Sequence, residues 1–298
     1  MLAAMVVFLC LVWGSTWLAI KVGLRDMPPF FAAGVRFLGA AAILAVLSRL
    51  QRVPGPRTRS QHAGLVLLGL GVFAVSYGVV YWSEQYLAAG LTAVLFAIHP
   101  LLVALVASRV LPDEPLSARK LAGIALGFAG VGVIFLDDVS LSGPRAPLAA
   151  GVVLLSPLAG AVSNVAIKKH AAALHPYTIA TLPMLYGGAA MLSLSAALED
   201  WQRVRWTPNA VTALLYLIVF GSVLTFMVYY TLLKRVAVSR LSLISYLFPV
   251  VAVFVGWVFL GERLGPRGWL GSALVLAGVA LAGLRRRAAE PSVGSTRG

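Results

Sequence analysis

Charge is scarce in this chain. Of its 298 residues, 11% are Asp, Glu, Lys or Arg and 60% are hydrophobic, with a mean hydropathy of +0.92. Soluble domains carry roughly a quarter charged residues, and no globular core of this size could hide so much apolar surface. A water-soluble fold is thereby excluded, and lipid is the expected solvent. Acid is scarcer still: 10 acidic residues face 24 Lys and Arg, a formal net charge of +14. In a soluble protein that excess would suggest nucleic acid. No basic stripe is interleaved with aromatics here, so no nucleic-acid partner is expected, and the positive residues are read as marks of cytoplasmic loops. Cys10 is the single cysteine, which excludes an internal disulfide. His62, His99, His170 and His175 lack metal-ligand spacing, and neither an HExxH pair nor a Walker-type glycine loop occurs. Neither metal nor cofactor is expected, direct ATP drive is not expected, and Asp137-Asp138 reads as a solvated pair. The N-terminus lacks a basic leader region, and its apolar run continues past any small-residue cleavage site. It reads as an uncleaved first span, not a signal peptide.

What is abundant is long apolar stretches. A helix needs about 20 apolar residues to cross a bilayer core, and ten such stretches can be traced. They are Leu2–Ile20, Pro29–Leu47, Ala63–Trp82, Ala88–Ser108, Leu121–Leu136, Leu148–Ile167, Tyr177–Leu198, Val211–Leu233, Leu241–Leu260 and Trp269–Leu284. The links are short, so no soluble domain is inserted, and the small polar tail 288–298 reads as disordered.

The chain also repeats itself. Val79-x-Tyr81 returns as Val228-x-Tyr230, and Pro100 returns as Pro249. Glu114-x-Leu116-x-x-Arg119 returns as Glu262-x-Leu264-x-x-Arg267. Gly123-x-Ala125-Leu126-x-x-Ala129-Gly130-Val131 returns as Gly271-x-Ala273-Leu274-x-x-Ala277-Gly278-Val279. Two copies of one membrane unit are expected, 1–138 with helices 1–5 and 146–287 with helices 6–10. With the N-terminus in the cytoplasm, 16 of the Lys and Arg residues fall in inner loops and ends, 7 fall outside, and Arg36 lies within the second span. Both termini are then cytoplasmic. Helix 1 starts inside and helix 6 outside. The fold class expected is therefore an all-α membrane protein, ten transmembrane helices arranged as two inverted five-helix repeats. Inverted repeats permit two mirror-related states, each open to one side, as alternating access requires.

These features resemble the EamA family of the drug/metabolite transporter superfamily across nearly the whole chain. The resemblance is carried by Trp13-Gly14-Ser15-Thr16-Trp17-Leu18-Ala19-Ile20-Lys21, its shorter echo Ala166-Ile167-Lys168, the paired prolines, the Glu114 and Glu262 segments, and the glycine-rich helices 5 and 10. It implies a ten-helix carrier of the inner or plasma membrane, with a central cavity lined mainly by helices 1, 3, 4, 6, 8 and 9. Family members mostly export amino acids and other small metabolites, and some import. Helix 6 has Gly160, Ala161 and Val162 where helix 1 has Trp13, Gly14 and Ser15, so an asymmetric cavity is expected.

Trp13, Thr16, Trp17 and Ile20 share a face of helix 1, as an aromatic and hydroxyl wall of the cavity or as ordinary packing. Ser163 and Asn164 sit on the matching turn of helix 6, where an amide needs a neighbouring helix or a ligand. Tyr77, Tyr81 and Glu84 share a face of helix 3, with Phe226 and Tyr230 at corresponding places in helix 8. Tyr81 and Tyr230 are the best candidate pair for the path, and Glu84 is expected as a solvated carboxylate at the outer rim, with a proton relay as the lesser alternative. His99 precedes Pro100 in helix 4, either a packing group or a proton-coupling site. Ser242, Ser245 and Tyr246 give helix 9 a polar face ahead of Pro249. Pro100 and Pro249 serve as hinges or as fixed bends. Arg36 could hold an anionic substrate, but a structural role is favoured. Glu114 and Glu262 are expected to order their loops beside the N-termini of helices 5 and 10. The glycine faces serve contacts within the fold or a homodimer.

The expected function is secondary transport of a small metabolite, an amino acid or related compound, most often outward, with gradient or proton coupling. The partners are a small-molecule substrate and the lipid bilayer, and the chain is not expected to be an enzyme. An intramembrane enzyme acting on lipid-linked substrates would need clustered acidic or His residues at one face. A non-transporting assembly or receptor component would need no second access state. A nucleotide-sugar or lipid-carrier translocator is a neighbour within the transport class.

Overall fold

The structure, a computed structural model, describes residues 2–110, 116–136, 143–170, 174–235 and 244–283. Within these residues the regular structure is helical throughout. Eight helices are long and apolar enough to cross a membrane. They are α1 (Ala4–Gly23, helical from Leu2), α2 (Pro29–Leu50), α3 (Arg59–Glu84), α4 (Ala89–Val110), α5 (Ala118–Phe135), α6 (Ala146–Ala166, continuing to His170), α7 (Pro176–Leu198) and α8 (Pro208–Leu232, continuing to Arg235). Two shorter apolar helices follow, Leu247–Leu260 within α9 (Ile244–Leu260) and Pro266–Ala282 within α10 (Pro266–Gly283). Large apolar side chains such as Leu11, Leu67, Phe254, Trp257 and Trp269 lie exposed along them. An apolar surface of that extent suits lipid, not water.

Local chemistry sets the helix starts. Thr58 and Gln61 form a reciprocal capping box at α3, with Gln61 N donating to Thr58 Oγ1 at 3.2 Å. Ser117 caps α5 through the N–H of Lys120, and Thr207 caps α8 through the N–H of Ala210. Pro29, Pro176 and Pro208 occupy first-turn positions, where the missing N–H costs nothing. Proline also sets the interruptions. Helix α4 is broken at 97–98 and α6 at Leu154, each break about one turn ahead of a proline, Pro100 and Pro157. The ring clashes with the carbonyl four residues back and removes one helical hydrogen bond. Pro249 instead lies inside the unbroken α9, so the two repeat-related prolines act differently. Two wider π-helical stretches occur at matching places, Gly69–Ser76 in α3 and Val219–Leu224 in α8.

Two helix pairs are packed most extensively, α2 on α7 and α5 on α10. Around them, α1 packs on α8 and α9, and α6 packs on α3 and α4. Glycine permits the close approach of α5 and α10. A methyl group at Gly123 would sit 2.5 Å from Gly278 O, and one at Gly271 would sit 2.6 Å from Gly130 O. Gly123 therefore meets Gly278 while Gly130 meets Gly271, so the helices run antiparallel. Gly34 against Leu192, with Gly188 against Leu38, gives the same antiparallel sense to α2 and α7. The expected helix positions hold within a few residues at each end. Glu114, Ser242 and the tail 288–298 lie outside the described residues, as do the side chains of Ser245 and Tyr246.

Gly130→Leu should separate α5 from α10. Overpacking of a tight contact costs about 1–3 kcal/mol, so thermal unfolding in detergent should begin at a lower temperature than for Gly132→Leu, whose Cβ would meet open space. Equal melting of the two variants would refute the contact.

Candidate functional site

The middle of the bundle is an aromatic assembly built from both halves of the sequence. Trp13 of α1 lies 5.9 Å from Phe226 and 5.3 Å from Tyr229 of α8, centroid to centroid. Trp17, one turn on, lies 5.8 Å from Phe96 of α4 and 6.4 Å from Phe248 of α9. Tyr230 is buried between Phe226 and Tyr229, and Phe226 reaches Phe73 of α3 at 5.4 Å. Offset and edge contacts of this kind fix ring orientation as well as burying area. Thr16 donates back to Trp13 O at 2.7 Å and is buried. Trp13 Nε1 and Thr225 Oγ1 are buried polar atoms without a hydrogen-bond partner.

The glycine positions hold this centre together. Gly14 faces Phe248 O, 2.9 Å from where its Cβ would lie, and Gly160 faces the ring of His99 at 3.2 Å. His99 and Phe248 are repeat mates, but the glycines against them are offset by one position, since Gly160 matches Trp13 and Gly14 matches Ala161. His99 also stacks on Phe96 at 5.4 Å, and its Nε2 lies 3.2 Å from Asn164 Nδ2. Ser163 is buried on the neighbouring position, facing Gly71 of α3. Trp13, Thr16, Trp17, His99, Asn164 and Tyr230 are thus brought to one region.

Tyr77 and Tyr81 face a second region, around Arg36. This arginine is 1% exposed. Its Nε donates to Ser222 Oγ at 3.0 Å, Nη1 to Tyr81 Oη at 3.3 Å and Nη2 to Gly221 O at 3.1 Å. The guanidinium carbon lies 5.0 Å from the Phe37 ring centre and 5.1 Å from that of Tyr77, both within cation–π range. Gly221 and Ser222 belong to the π-helical stretch of α8, whose widened turn leaves a backbone carbonyl free to accept from a side chain. A cavity of about 10 Å³, room for one water, adjoins Tyr81 between α1, α2 and α8.

Three further charges gather at the same end. Lys21 Nζ donates to the backbone carbonyls of Glu84 and of Leu87, the latter at 2.5 Å, and so caps the C-terminal end of α3. Glu262 accepts from Ala89 N at 2.8 Å and from Gly90 N at 3.3 Å. It caps α4, not the helix that follows it in sequence. Glu84 corrects the expectation of a solvated rim group. It is fully buried, and neither carboxylate oxygen has a hydrogen-bond partner. Its burial follows from helix phase: Tyr81 and Glu84 lie one turn apart on the inward face of α3. Beyond this cluster, Glu199 accepts from Phe30 N and Phe31 N, and Asp26 pairs with Arg205 at 3.2 Å and accepts from Thr207 Oγ1 at 2.6 Å.

The reading of Arg36 as structural agrees with its satisfied donors. Its partners Ser222 and Gly221 were missed because the π-helical stretch has no sequence signal beyond a Gly-Ser pair in an apolar run. Lys21, one of the seven Lys and Arg residues on the outer side of the sequence reading, ends an apolar helix directly.

Apolar helices of membrane length, a lipid-compatible surface and a polar and aromatic interior define a multi-pass membrane protein. The family model of EamA-like transporters matches residues 1–136 and 147–284, and the chain belongs to that family. It is similar to the uncharacterized inner membrane transporter YedA of Escherichia coli K12, 31% identical over 287 residues covering 92% of this chain and 87% of that one. It is also similar to the uncharacterized transporter YoaV of Bacillus subtilis, 28% identical over 92% of this chain and 94% of that one. Protein PagO of Salmonella typhimurium is 26% identical over 82% and 80%. A solved crystal structure shares the fold with a TM-score of 0.67 at 17% identity, covering 94% of this chain and 96% of that one.

Arg36→Lys keeps the charge but loses the three-way fork. With hydrogen bonds to charged groups worth about 1.5–3 kcal/mol each, the variant should lose at least that much stability in a denaturant titration of the folded protein in detergent. Unchanged stability would show that the contacts of Arg36 with Ser222 and Gly221 contribute nothing.

Proposed function

We propose that the protein is a secondary transporter that moves an amino acid or related small metabolite across the inner or plasma membrane, outward, by alternating access. Ten spans with both termini in the cytoplasm, and two inverted halves, belong to this reading. The single observation that carries it is the exchange of partners between the halves. Helix α1 packs on α8 and α9, and α6 packs on α3 and α4, the same relation with the halves interchanged. The pairs α2–α7 and α5–α10 cross the dyad. An arrangement related to itself by a two-fold axis in the membrane plane has a second state of equal topology, open to the other side.

The described arrangement is read as closed at the outer end. Lys21, Glu199, Glu262 and the Asp26–Arg205 pair all tie helix ends together there. The substrate site is assigned to the aromatic centre: Trp13, Thr16, Trp17, His99, Ser163, Asn164 and Tyr230, with Tyr77 and Tyr81 leading toward the outer seal. Trp13 Nε1 and Thr225 Oγ1 are donors without partners there, suited to a polar group of a small molecule. Arg36 is buried and uses three of its five N–H donors on Ser222, Tyr81 and Gly221, which disfavours it as an anion clamp and favours zwitterionic or uncharged substrates over phosphate-linked ones.

Purified protein in liposomes should move at least one labelled compound from a panel of amino acids, polyamines and nucleosides. Tyr230→Ala should lower that flux by about tenfold, equivalent to about 1.4 kcal/mol, while the protein remains folded. No flux from folded protein for the whole panel, or full flux in the variant, would contradict the assignment.

A further inference from the structure

We propose that Glu84 is a proton-binding site, and that the proton it carries is the coupling ion of transport. This rests on the transporter reading above and names its driving ion.

Glu84 differs from its charged neighbours in its partners. The other buried or half-buried charged groups at this end have their contacts: Arg36 has three acceptors, Lys21 two backbone carbonyls, and Glu262 two backbone N–H donors. Glu84 has none for either oxygen and is fully buried. A carboxylate ion left that way is among the most costly groups to bury, whereas the neutral acid is far cheaper. The charged and titratable groups around it are known from each neighbouring element. On α1 there is Lys21, with exposed Arg25 beyond it. On α2 there is Arg36, and on α3 itself Tyr77 and Tyr81. Before α10 there is Glu262, and at the start of α6 Arg145, which lies over Tyr86. Two cations are therefore close, yet neither is engaged with the carboxyl group; Lys21 holds the backbone carbonyl of the same residue instead.

That geometry describes one half of an exchange. With its proton, Glu84 needs no counter-ion, and Lys21 is free to cap α3. When the proton leaves to water on the open side, the carboxylate takes the Lys21 ammonium, and the carbonyls of Glu84 and Leu87 lose their donor. The outer seal then weakens. Lys21 is on the same helix as Trp13, Thr16 and Trp17, so a substrate that shifts α1 shifts the ammonium with it. Proton occupancy and substrate occupancy are thereby linked through one rigid element.

Two measurements decide it. Infrared spectra of the protein in lipid should show a protonated-carboxyl band that is absent in Glu84→Gln and retained, shifted, in Glu84→Asp. The same band in Glu84→Gln as in the native protein would overturn the assignment. In liposomes, accumulation of a mixture of labelled amino acids driven by an imposed proton gradient should be lost in Glu84→Gln and partly restored in Glu84→Asp. Native-like gradient dependence in Glu84→Gln would likewise overturn it. If the native protein moves none of the mixture, the transport reading fails, while the infrared comparison still decides whether Glu84 binds the proton.

Discussion

The tightest constraint in this molecule is the approach of backbone to backbone at glycine. Lipid offers helices no hydrophobic reason to associate, so packing and polar contacts must supply it. At Gly123, Gly130, Gly271 and Gly278 the backbones of α5 and α10 come close enough that no side chain would fit. The contact is reciprocal, each glycine of one helix opposite its non-equivalent partner on the other. Gly14 repeats the principle at the centre against the backbone carbonyl of Phe248, while Gly160 makes room for the His99 ring. What the aromatic residues can do follows from these approaches, because they set how near α1 comes to α9 and how near α6 comes to α4.

Polar groups inside such a bundle must be answered within it. Most are. Glu199 and Glu262 each serve the N-terminus of a helix distant in sequence, and Lys21 serves a C-terminal end. Each interaction links elements that an alternating carrier would have to separate. Arg36 differs, because its partners surround it on α2, α3 and α8 and hold those helices as one block. The charges therefore divide into those that fasten a rigid unit and those that close a seam, and Glu84 lies between the two sets without a partner in either.

Much of this architecture was legible in the sequence. Helix positions followed from apolar length, and the repeated glycines marked helices 5 and 10 as close-contact faces without naming a partner; the pairs α2–α7 and α5–α10 came from the structure. The aromatic candidates on α1, α4 and α8 converge because helical periodicity places them on one face. The rest depended on contacts no local pattern encodes. Glu84 looked like a rim group because it ends an apolar run, and only the packing of α1 and α2 against it makes it buried. Glu262 was read against the helix it precedes, but its carboxylate reaches α4. The π-helical stretches and the break at Leu154 had weak signals, and the unequal behaviour of Pro100 and Pro249 had none, since their sequence settings match.

The central claim is that the halves lie oppositely in the membrane. Arg57 precedes α3, while Glu262, next to Arg263, binds the start of α4 beside the far end of α3. With α3 26 residues long, about 39 Å at 1.5 Å per residue, the two arginines lie at opposite ends of the bundle. Single-cysteine variants Arg57→Cys and Arg263→Cys, each with Cys10→Ser, can be labelled in intact cells with a membrane-impermeant maleimide. The account predicts labelling at position 263 from outside and at position 57 only after the membrane is opened. Labelling of both from the same side would contradict it.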